Sequence, residues 1–223
     1  MSRRILVVDD EPNIRLSFRY GLLSDEWEVE EASSGADAIA KAQAMSYDLM
    51  LLDLRMPGID GIQVLQRLNE RNIRIPAILV SAHATTDTVI QAIERGTLDF
   101  LTKPVTPDQL RSAIREVLER FDFVRAREAG QADSRPLSDG EKLKLAKYDI
   151  FQRRYQDAEK LLRTLGAGDE AEEAFLLLGI LSEIRGDFQG AEAHYSQVVQ
   201  SGPNERKDGS RTGWLFEQLG GGE

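Results

Sequence analysis

The sequence of 223 residues contains no cysteine and only two histidines, His83 and His194. The lack of cysteine excludes disulfide bonds, thiolate metal sites and a cysteine nucleophile, and two histidines cannot build a histidine-rich zinc site alone. No apolar run approaches the roughly 18 residues of a membrane span, and the first one ends at Asp9, too early for a signal peptide. We therefore expect a soluble, cytoplasmic protein with no membrane partner.

Basic side chains are outnumbered, with 28 Lys and Arg against 38 Asp and Glu and a net charge of -10. The acidic excess is even, since residues 1–128 hold 16 basic and 21 acidic side chains and the remainder holds 12 and 17. Neither part shows the basic patch that binds a nucleic-acid backbone. We expect no nucleic-acid partner.

Short apolar runs alternate with stretches of helical spacing up to about residue 105, which predicts a parallel, doubly wound α/β sheet. The runs are Ile5–Val8, Glu28–Ala32, Leu49–Leu52, Ala77–Val80 and Asp99–Leu101. The first, third and fourth are apolar at successive positions, as central strands covered on both faces require. Gly96 is typical of a helix end, and Thr106 followed by Pro107 is typical of a helix start.

A second, smaller all-α domain is predicted after a polar linker. We place the first domain at residues 1–127, the linker at 128–138, helical hairpins at 139–203 and a tail or capping helix at 204–223. Ser138 and Glu141 have the spacing of a capping box. Shifted by 33 residues, several positions in this region match one another, although two amphipathic hairpins could match by chance. The matching positions are Leu145 with Leu178, Ala146 with Gly179, Tyr155 with Phe188, Ala158 with Ala191, Leu162 with Tyr195, and Leu165 with Val198.

The second copy, residues 175–203, resembles a tetratricopeptide repeat. The match rests on Leu178-Gly179, the Gly186-Asp187-Phe188 turn, Ala191, Tyr195 and the closing Pro203. It departs from that family at Ser182, where an aromatic residue is usual, and the first copy lacks the glycine turn. Two repeats are too few for a stable array. The unit must therefore dock elsewhere, pair with another chain, or be capped by Trp214, Leu215, Phe216 and Leu219.

Polar and charged residues follow four of the predicted strands. They are Asp9-Asp10-Glu11, Asp53, Ser81 and Thr102-Lys103-Pro104. Ligands of a parallel α/β sheet bind beyond the carboxyl ends of its strands, so these side chains should meet. Crowded carboxylates repel one another, and a Mg²⁺ ion with one or two carboxylate ligands would relieve that repulsion. Beside such an ion and Lys103, Asp53 could act as a nucleophile toward a phosphoryl group.

Each of these residues also has a structural interpretation. Asp10 or Glu11 could cap the first helix, and Asp53 could be a turn residue at a strand end. Ser81 could be another cap, and Lys103 could be a solvated charge. Their joint occurrence at four strand ends favours the functional interpretation.

Residues 3–122 resemble the receiver domain of bacterial two-component response regulators. The matching segments are residues 5–12, 48–61, 80–83 and 99–104. The resemblance implies a flavodoxin-like sheet with strand order 2-1-3-4-5. It also implies that Asp53 accepts phosphate from a histidine kinase or phosphotransfer protein. By the same resemblance, Asp10, Asp53 and the backbone carbonyl of Arg55 bind Mg²⁺, and Asp9 holds a metal-bound water.

The resemblance assigns further roles. Lys103 would contact the phosphoryl oxygens, and the hydroxyl of Ser81 would move toward the phosphate and let Phe100 turn inward. Arg55 and His83 would flank the phosphoryl group and tune its lifetime. The Lys103–Pro104 bond could be cis. The face formed by the fourth helix, fifth strand and fifth helix could pair two receivers into a homodimer, or it could simply be solvated.

We therefore expect a response regulator that is not itself an enzyme and whose phosphorylation controls binding of an unidentified protein. The helical repeats are the candidate binding surface. Two alternatives remain. One is a constitutive tetratricopeptide-type scaffold with a receiver that does not switch. The other is a Mg²⁺ phosphatase on a similar sheet, but such enzymes have a second aspartate two residues after the nucleophile, where this chain has Arg55.

Overall fold

The computed structural model describes residues 2–23, 26–82, 86–97, 99–131, 135–166 and 168–200. The chain divides into two compact units. The first, called here the sheet unit, comprises Met1–Ala84 and Thr97–Glu119. The second, called the helical unit, comprises Thr85–Gly96 and Arg120–Glu223. This division differs from the linear domain bounds expected above, because residues 85–96 group with the carboxyl-terminal helices.

Within the described residues, the sheet unit contains five strands and the helices that connect the first four of them. The strands are β1 (Arg3–Val8), β2 (Trp27–Ala32), β3 (Leu49–Asp53), β4 (Ala77–Ser81) and β5 (Asp99–Thr102). The first three helices are α1 (Pro12–Gly21), α2 (Gly35–Ala44) and α3 (Gly61–Glu70). All strand pairs are parallel, and their order is β2-β1-β3-β4-β5. The predicted α/β class and strand order are confirmed.

Burial explains which strands are central. Every residue of β3 and β4 is buried, as are the last four residues of β1, whereas the edge strand β2 is buried only at its two ends. Asp53 lies opposite Val80, and Ser81 lies opposite Thr102. The carboxyl ends of β3, β4 and β5 are therefore in register along one edge of the sheet.

The helical unit contains α4 (Thr86–Glu94), the end of α5 (Pro107–Glu128), α6 (Asp139–Phe151), α7 (Tyr155–Leu162), α8 (Asp169–Ile184) and α9 (Phe188–Gln200). The predicted capping box is present: Ser138 accepts a hydrogen bond from the Glu141 N–H at 3.3 Å, and Glu141 accepts one from the Ser138 N–H at 2.8 Å. Helices α6 and α7 pack as one hairpin, and α8 and α9 pack as another.

The same backbone turn recurs after 33 residues. Each turn combines an N–H···O=C bond across three residues with one across five, which is the pattern of a Schellman motif. In the first hairpin these bonds are Arg153 to Ile150 and Arg154 to Asp149, both 2.8 Å, and in the second they are Gly186 to Glu183 at 2.8 Å and Asp187 to Ser182 at 2.9 Å. Gly186 has φ +78°, and Arg153 has φ +60°. The first copy thus forms the turn without its glycine.

Small residues also bring the second hairpin together. A Cβ atom at Gly179 of α8 would overlap the ring of Tyr195 on α9, so only glycine allows this approach of the two helices. Ala146 and Ala158 are fully buried in the first hairpin. These positions agree with the matched small and large residues expected from the 33-residue spacing.

Some of the expectations concern residues outside the described ranges. These are His83, Pro203 and the apolar residues Trp214, Leu215, Phe216 and Leu219. Among the residues that the structure does describe, no helix combines the length and apolar character that a bilayer crossing needs.

The turn geometry predicts opposite effects of two substitutions at equivalent positions. A left-handed conformation costs a residue with a side chain about 1 to 2 kcal/mol, partly offset by the greater freedom of glycine in the unfolded chain. Gly186→Ala should therefore lower the stability of the helical unit by about 1 kcal/mol, and Arg153→Gly should raise it by up to about 1 kcal/mol. Amide hydrogen exchange in α8 measures both. If Arg153→Gly lowered the stability of the helical unit, the first hairpin would not share the left-handed turn of the second.

Candidate functional site

One lysine joins two aspartates at the carboxyl edge of the sheet. Asp9 follows β1, Asp53 ends β3, and Lys103 follows β5. The Nζ atom of Lys103 lies 2.7 Å from Oδ2 of Asp9 and 2.5 Å from Oδ1 of Asp53. Asp9 is 1% exposed and Asp53 is 6% exposed. Three residues from three strand ends, far apart in the sequence, therefore form one charged cluster, as the strand-end pattern predicted.

Backbone N–H groups orient both carboxylates. The second oxygen of Asp9 accepts a hydrogen bond from the N–H of Glu11 at 2.9 Å, and that of Asp53 accepts one from the N–H of Arg55 at 2.7 Å. Each aspartate thus uses one oxygen for its own turn and the other for Lys103. Asp53 is therefore a turn residue at a strand end, as the structural interpretation expected. The same turn also directs its other carboxylate oxygen toward Lys103.

Two of the other structural interpretations do not hold. Glu11 is the residue before α1, but its side chain makes no capping hydrogen bond. Ser81 is the last residue of β4 and is buried. The side chain of Lys103 is only 17% exposed and is committed to two carboxylates.

Two positions that sequence analysis did not single out support the site. The guanidinium of Arg15 donates to the backbone carbonyls of Asp9 at 2.8 Å and Asp10 at 3.2 Å, and it also pairs with Glu31. A Cβ atom at Gly61 would overlap the carbonyl oxygen of Asp53. Arg15 lies one turn into the helix that follows the acidic residues, and this spacing is the signal that could have identified it.

The remaining predicted residues lie close to the cluster in the chain. Phe100 is 3% exposed on β5, opposite Leu79. The backbone N–H of Lys103 donates to the carbonyl of Ser81 at 3.0 Å. The Lys103–Pro104 peptide is cis, as predicted. Asp10 is half-buried beside Asp9, and the Arg55 side chain is exposed.

The pKa values of Asp53 and Lys103 are both shifted in this cluster. Burial raises the pKa of Asp53, and the nearby charge of Asp9 raises it further, which outweighs the opposing effect of Lys103. Burial by itself would lower the pKa of Lys103, but its bonds to Asp53 and Asp9 outweigh burial and raise it. Lys103 is therefore firmly charged, and Asp53 ionises less readily than a free aspartate.

The donor set suits a hard cation. Two buried carboxylates held by one lysine leave the pair with one excess negative charge, and Mg²⁺ prefers one or two carboxylate oxygens together with water. Within the ranges that the structure describes, no group of three or more acidic, histidine or cysteine side chains converges on a point. Asp10 is thus next to the cluster but does not complete a three-carboxylate site with Asp9 and Asp53.

Comparison with known families identifies the first part of the chain. Residues 5–115 match the family described as response regulator receiver domain. The chain is 39% identical over 117 residues to the transcriptional regulatory protein ResD of Bacillus subtilis, covering 52% of this chain and 48% of that protein. It is 38% identical over 137 residues to the alginate biosynthesis transcriptional regulatory protein AlgB of Pseudomonas aeruginosa, covering 61% and 30%. The receiver resemblance is therefore confirmed for this segment.

Solved structures agree with this fold. The signal receiver domain of a putative Luxo repressor protein from Vibrio parahaemolyticus is 26% identical with a TM-score of 0.54, covering 57% of this chain and 98% of that one. NtrX from Brucella abortus, solved with ATP, is 28% identical with a TM-score of 0.53, covering 66% of this chain and 34% of that one. The α/β sheet described above is therefore the one shared with receiver domains.

The second part of the chain is matched differently. The chain spans 30 to 48% of the length of the curated relatives named above. A longer alignment, 28% identical over 195 residues, relates 87% of the chain to 78% of the transcriptional regulatory protein TdiR of Thauera aromatica. The family match ends at residue 115 and gives no support for the tetratricopeptide resemblance.

The raised pKa of Asp53 predicts how stability depends on pH. The folded sheet unit binds a proton at Asp53 more tightly than the unfolded chain does, so its stability should fall as pH rises from the ordinary aspartate value through the folded-state pKa. Asp53→Asn should remove this fall, since asparagine does not ionise. Thermal unfolding of both proteins between about pH 3 and 8 measures it. If the stabilities of wild type and Asp53→Asn changed with pH in the same way, the raised pKa would not belong to Asp53.

Proposed function

Because residues 5–115 form a response regulator receiver domain, we propose that this chain is a phosphorylation-controlled switch. In it, Asp53 accepts a phosphoryl group from a histidine kinase or a phosphotransfer protein. The observation that carries this proposal is the position of Asp53, with one oxygen held by a backbone N–H and the other on the ammonium of Lys103. The comparisons support the receiver, and the phosphoacceptor chemistry is our inference from the site.

Asp53 has the features of a nucleophile toward phosphorus. Its carboxylate oxygen would form the new bond as the bond between phosphorus and the donor's histidine nitrogen breaks. Lys103 would then contact the phosphoryl oxygens, because the ammonium already lies 2.5 Å from Asp53. Positive charge fixed before the reaction stabilises the charge that develops on those oxygens. Ser81 and Phe100 keep the switch roles that the receiver resemblance implies.

Mg²⁺ is the cofactor that we propose for this site. By the receiver resemblance, Asp10, Asp53 and the backbone carbonyl of Arg55 would hold it, and Asp9 would hold a metal-bound water. Since Asp10 does not converge with the other two carboxylates in this structure, its side chain would have to turn toward them. When bound, the ion would neutralise oxygens of the phosphoryl group and so reduce their repulsion of the carboxylate. The chain's own residues position the acceptor: Arg15 holds the turn after β1, and Gly61 leaves room for the backbone of Asp53.

The phosphodonor would dock on an exposed apolar stripe on and just after α1. Leu16 and Tyr20 are 45% and 65% exposed and lie one turn apart on the same face of α1, and Leu23, which follows the end of the helix, is 68% exposed. Helix α1 begins at Pro12, directly after the acidic residues. A partner that brings a phosphohistidine to Asp53 could therefore bury this stripe. The cytoplasmic location remains part of the same proposal.

The output that we favour is protein binding by the helical hairpins, as a tetratricopeptide-like unit. Residues 139–200 contain 8 basic and 12 acidic side chains. Six of the eight bases form ion pairs with acidic side chains, so they do not offer a basic surface to nucleic acid. These six are Lys142, Lys147, Arg154, Lys160, Arg163 and Arg185.

Transcriptional regulation is the second candidate output. It is favoured by the relatives, since AlgB, ResD and TdiR are all named as transcriptional regulators and the match to TdiR extends into the helical region. The expectation of no nucleic-acid partner therefore stays a proposal. A regulator with this charge balance would act on transcription through a protein partner or would contact DNA through residues outside 139–200.

Homodimerisation through α4, β5 and α5 has little support among the described contacts. We expect Gln91, Glu94, Asp99, Arg111 and Arg115 on that face. Its two bases, Arg111 and Arg115, already have partners in the sheet unit. Arg111 pairs with Asp108 at 2.5 Å, and Arg115 pairs with Glu26 at 3.4 Å and lies over the Trp27 ring. These contacts are explained more simply if the face is exposed to solvent and does not pair two receivers.

Labelling with acetyl phosphate tests the proposed acceptor. The wild-type chain should be labelled at Asp53 only when Mg²⁺ is present, and Asp53→Asn should not be labelled. Lys103→Met should slow labelling by about 100-fold, the size of effect seen when one charge-stabilising donor is removed. Intact-mass spectrometry measures all three. If wild type and Asp53→Asn bind the same partners equally, the receiver does not switch and the constitutive scaffold is correct.

The lifetime of the phosphoryl group provides a separate prediction. Arg55 and His83 should control how water reaches Asp53-phosphate, so the double substitution Arg55→Ala with His83→Ala should change its half-life without abolishing labelling. Loss of label after removal of the phosphodonor gives the rate. An unchanged half-life would remove both residues from the mechanism.

A further inference from the structure

The guanidinium of Arg15 connects the acidic turn after β1 with the edge strand β2. Its Nη1 atom donates to the carbonyl oxygen of Asp9 at 2.8 Å and to that of Asp10 at 3.2 Å. Its Nε atom donates to Oε2 of Glu31, on β2, at 3.2 Å. The Arg15 side chain is only 15% exposed. One planar group thus holds two successive backbone carbonyls and one carboxylate.

Glu31 is itself held in place by its surroundings. It lies opposite Val7 in the ladder between β1 and β2, and its carbonyl oxygen accepts a hydrogen bond from the ammonium of Lys41. Its carboxylate also lies 3.6 Å from the guanidinium of Arg19. Glu31 therefore gives Arg15 an acceptor whose backbone is fixed by the sheet.

The backbone of Asp10 is held more firmly than its side chain. Its carbonyl oxygen is bound by Arg15, and the N–H of the preceding residue, Asp9, donates to the carbonyl of Ala32 at 3.2 Å. Among the residues that the structure describes, the carboxylate of Asp10 accepts no hydrogen bond and forms no ion pair. The places that this carboxylate can reach are therefore set by the turn that Arg15 holds.

Charge by itself would give Arg15 the opposite effect on a bound cation. A guanidinium near the carboxylates repels a divalent ion, so removing it should strengthen Mg²⁺ binding if Arg15 acted only through its charge. Removing a group that orients metal ligands instead weakens binding, typically by about 10- to 100-fold. The two effects differ in sign. The direction of the change therefore separates positioning from charge.

Arg19 provides a comparison within the same helix. It lies one turn after Arg15 on α1, and both guanidinium groups pair with the carboxylate of Glu31. In the described part of the chain, however, the carbonyls of Asp9 and Asp10 are bound by Arg15 and not by Arg19. The Arg19 side chain is 59% exposed. The two arginines thus share an ion-pair partner but differ in their contact with the acidic turn.

We propose that Arg15 and Glu31 form a positioning pair for the Mg²⁺ site. Glu31 orients the guanidinium of Arg15, and Arg15 holds the turn that carries Asp10. This inference rests on the Mg²⁺ site proposed above, and it makes the affinity of that site depend on a carboxylate of the edge strand that would not itself bind the ion. The effect should appear with Mg²⁺ alone, without any phosphodonor.

Calorimetric titration of the full chain with MgCl₂ tests this pair. Arg15→Ala should raise the dissociation constant for Mg²⁺ by about tenfold, the lower end of the range for groups that orient metal ligands. Arg15→Lys keeps the positive charge but lacks the planar fork, so it should also raise the constant, but by less. Arg19→Ala removes an equal charge beside the same carboxylate and should not raise it.

A double-mutant cycle tests whether Glu31 acts through Arg15. Glu31→Gln should raise the dissociation constant for Mg²⁺ by about threefold, the size expected when one hydrogen bond is weakened. The same change should have a smaller effect when Arg15 is already alanine. Equal effects of Glu31→Gln in the two backgrounds would show that Glu31 does not act through Arg15, and would overturn the proposed pair.

Thermal unfolding separates positioning from a general loss of stability. Mg²⁺ should raise the melting temperature of Arg15→Ala less than that of wild type, whatever the two values are without the ion. If Arg15→Ala does not fold, Arg15→Lys serves for the same comparison.

Two results would overturn the inference and leave the phosphoacceptor proposal intact. One is Mg²⁺ binding by the Arg15 variants that is as tight as in wild type or tighter. The other is equal weakening by Arg19→Ala. A wild-type chain that binds no Mg²⁺ would overturn the proposed cofactor together with the positioning pair.

Discussion

The site depends on one ammonium shared by two buried carboxylates. Removing charges from water is costly, and Lys103 offsets that cost for Asp9 and Asp53 only in part, because it neutralises one of the two. The excess negative charge is therefore a property of the resting fold. The Mg²⁺ ion that we propose for this site would offset that excess charge. A pair of residues without net charge at this place would have cost the fold less free energy than this cluster does.

Rigid backbone makes this sharing possible. Parallel strands in register bring three strand ends to one edge, and each aspartate is fixed by an N–H two residues ahead of it. Arg15 holds the backbone of the first turn, and Gly61 allows the backbone of the second to pass closely. Both carboxylates are therefore held facing Lys103. In a flexible loop their side chains would adopt several orientations. Preorganisation of this kind lets fixed charges act on a reacting group.

The helical unit shows how one backbone geometry can arise from different residues. Its first and second hairpins share a turn, with a left-handed Arg153 in the first where the second has Gly186. In the first hairpin, Tyr155 also donates a hydrogen bond to the carbonyl of Glu94 at the end of α4. The first hairpin thus gains a contact from a helix that precedes it in the chain.

Hydrophobic spacing and strand-end polarity in the sequence alone determined the five strands, their central members, the helix caps and the convergence of Asp9, Asp53 and Lys103. These follow from local rules, since period, capping and parallel register act over a few residues or along a single sheet edge. Tertiary structure decided the rest: that Asp10 stays outside a three-carboxylate cluster, and that α4 groups with the carboxyl-terminal helices. The grouping of α4 depends on contacts such as that of Tyr155 with Glu94, 61 positions apart, whose packing no local pattern encodes. The place of Asp10 depends on the directions of side chains at the sheet edge, which strand-end polarity does not fix.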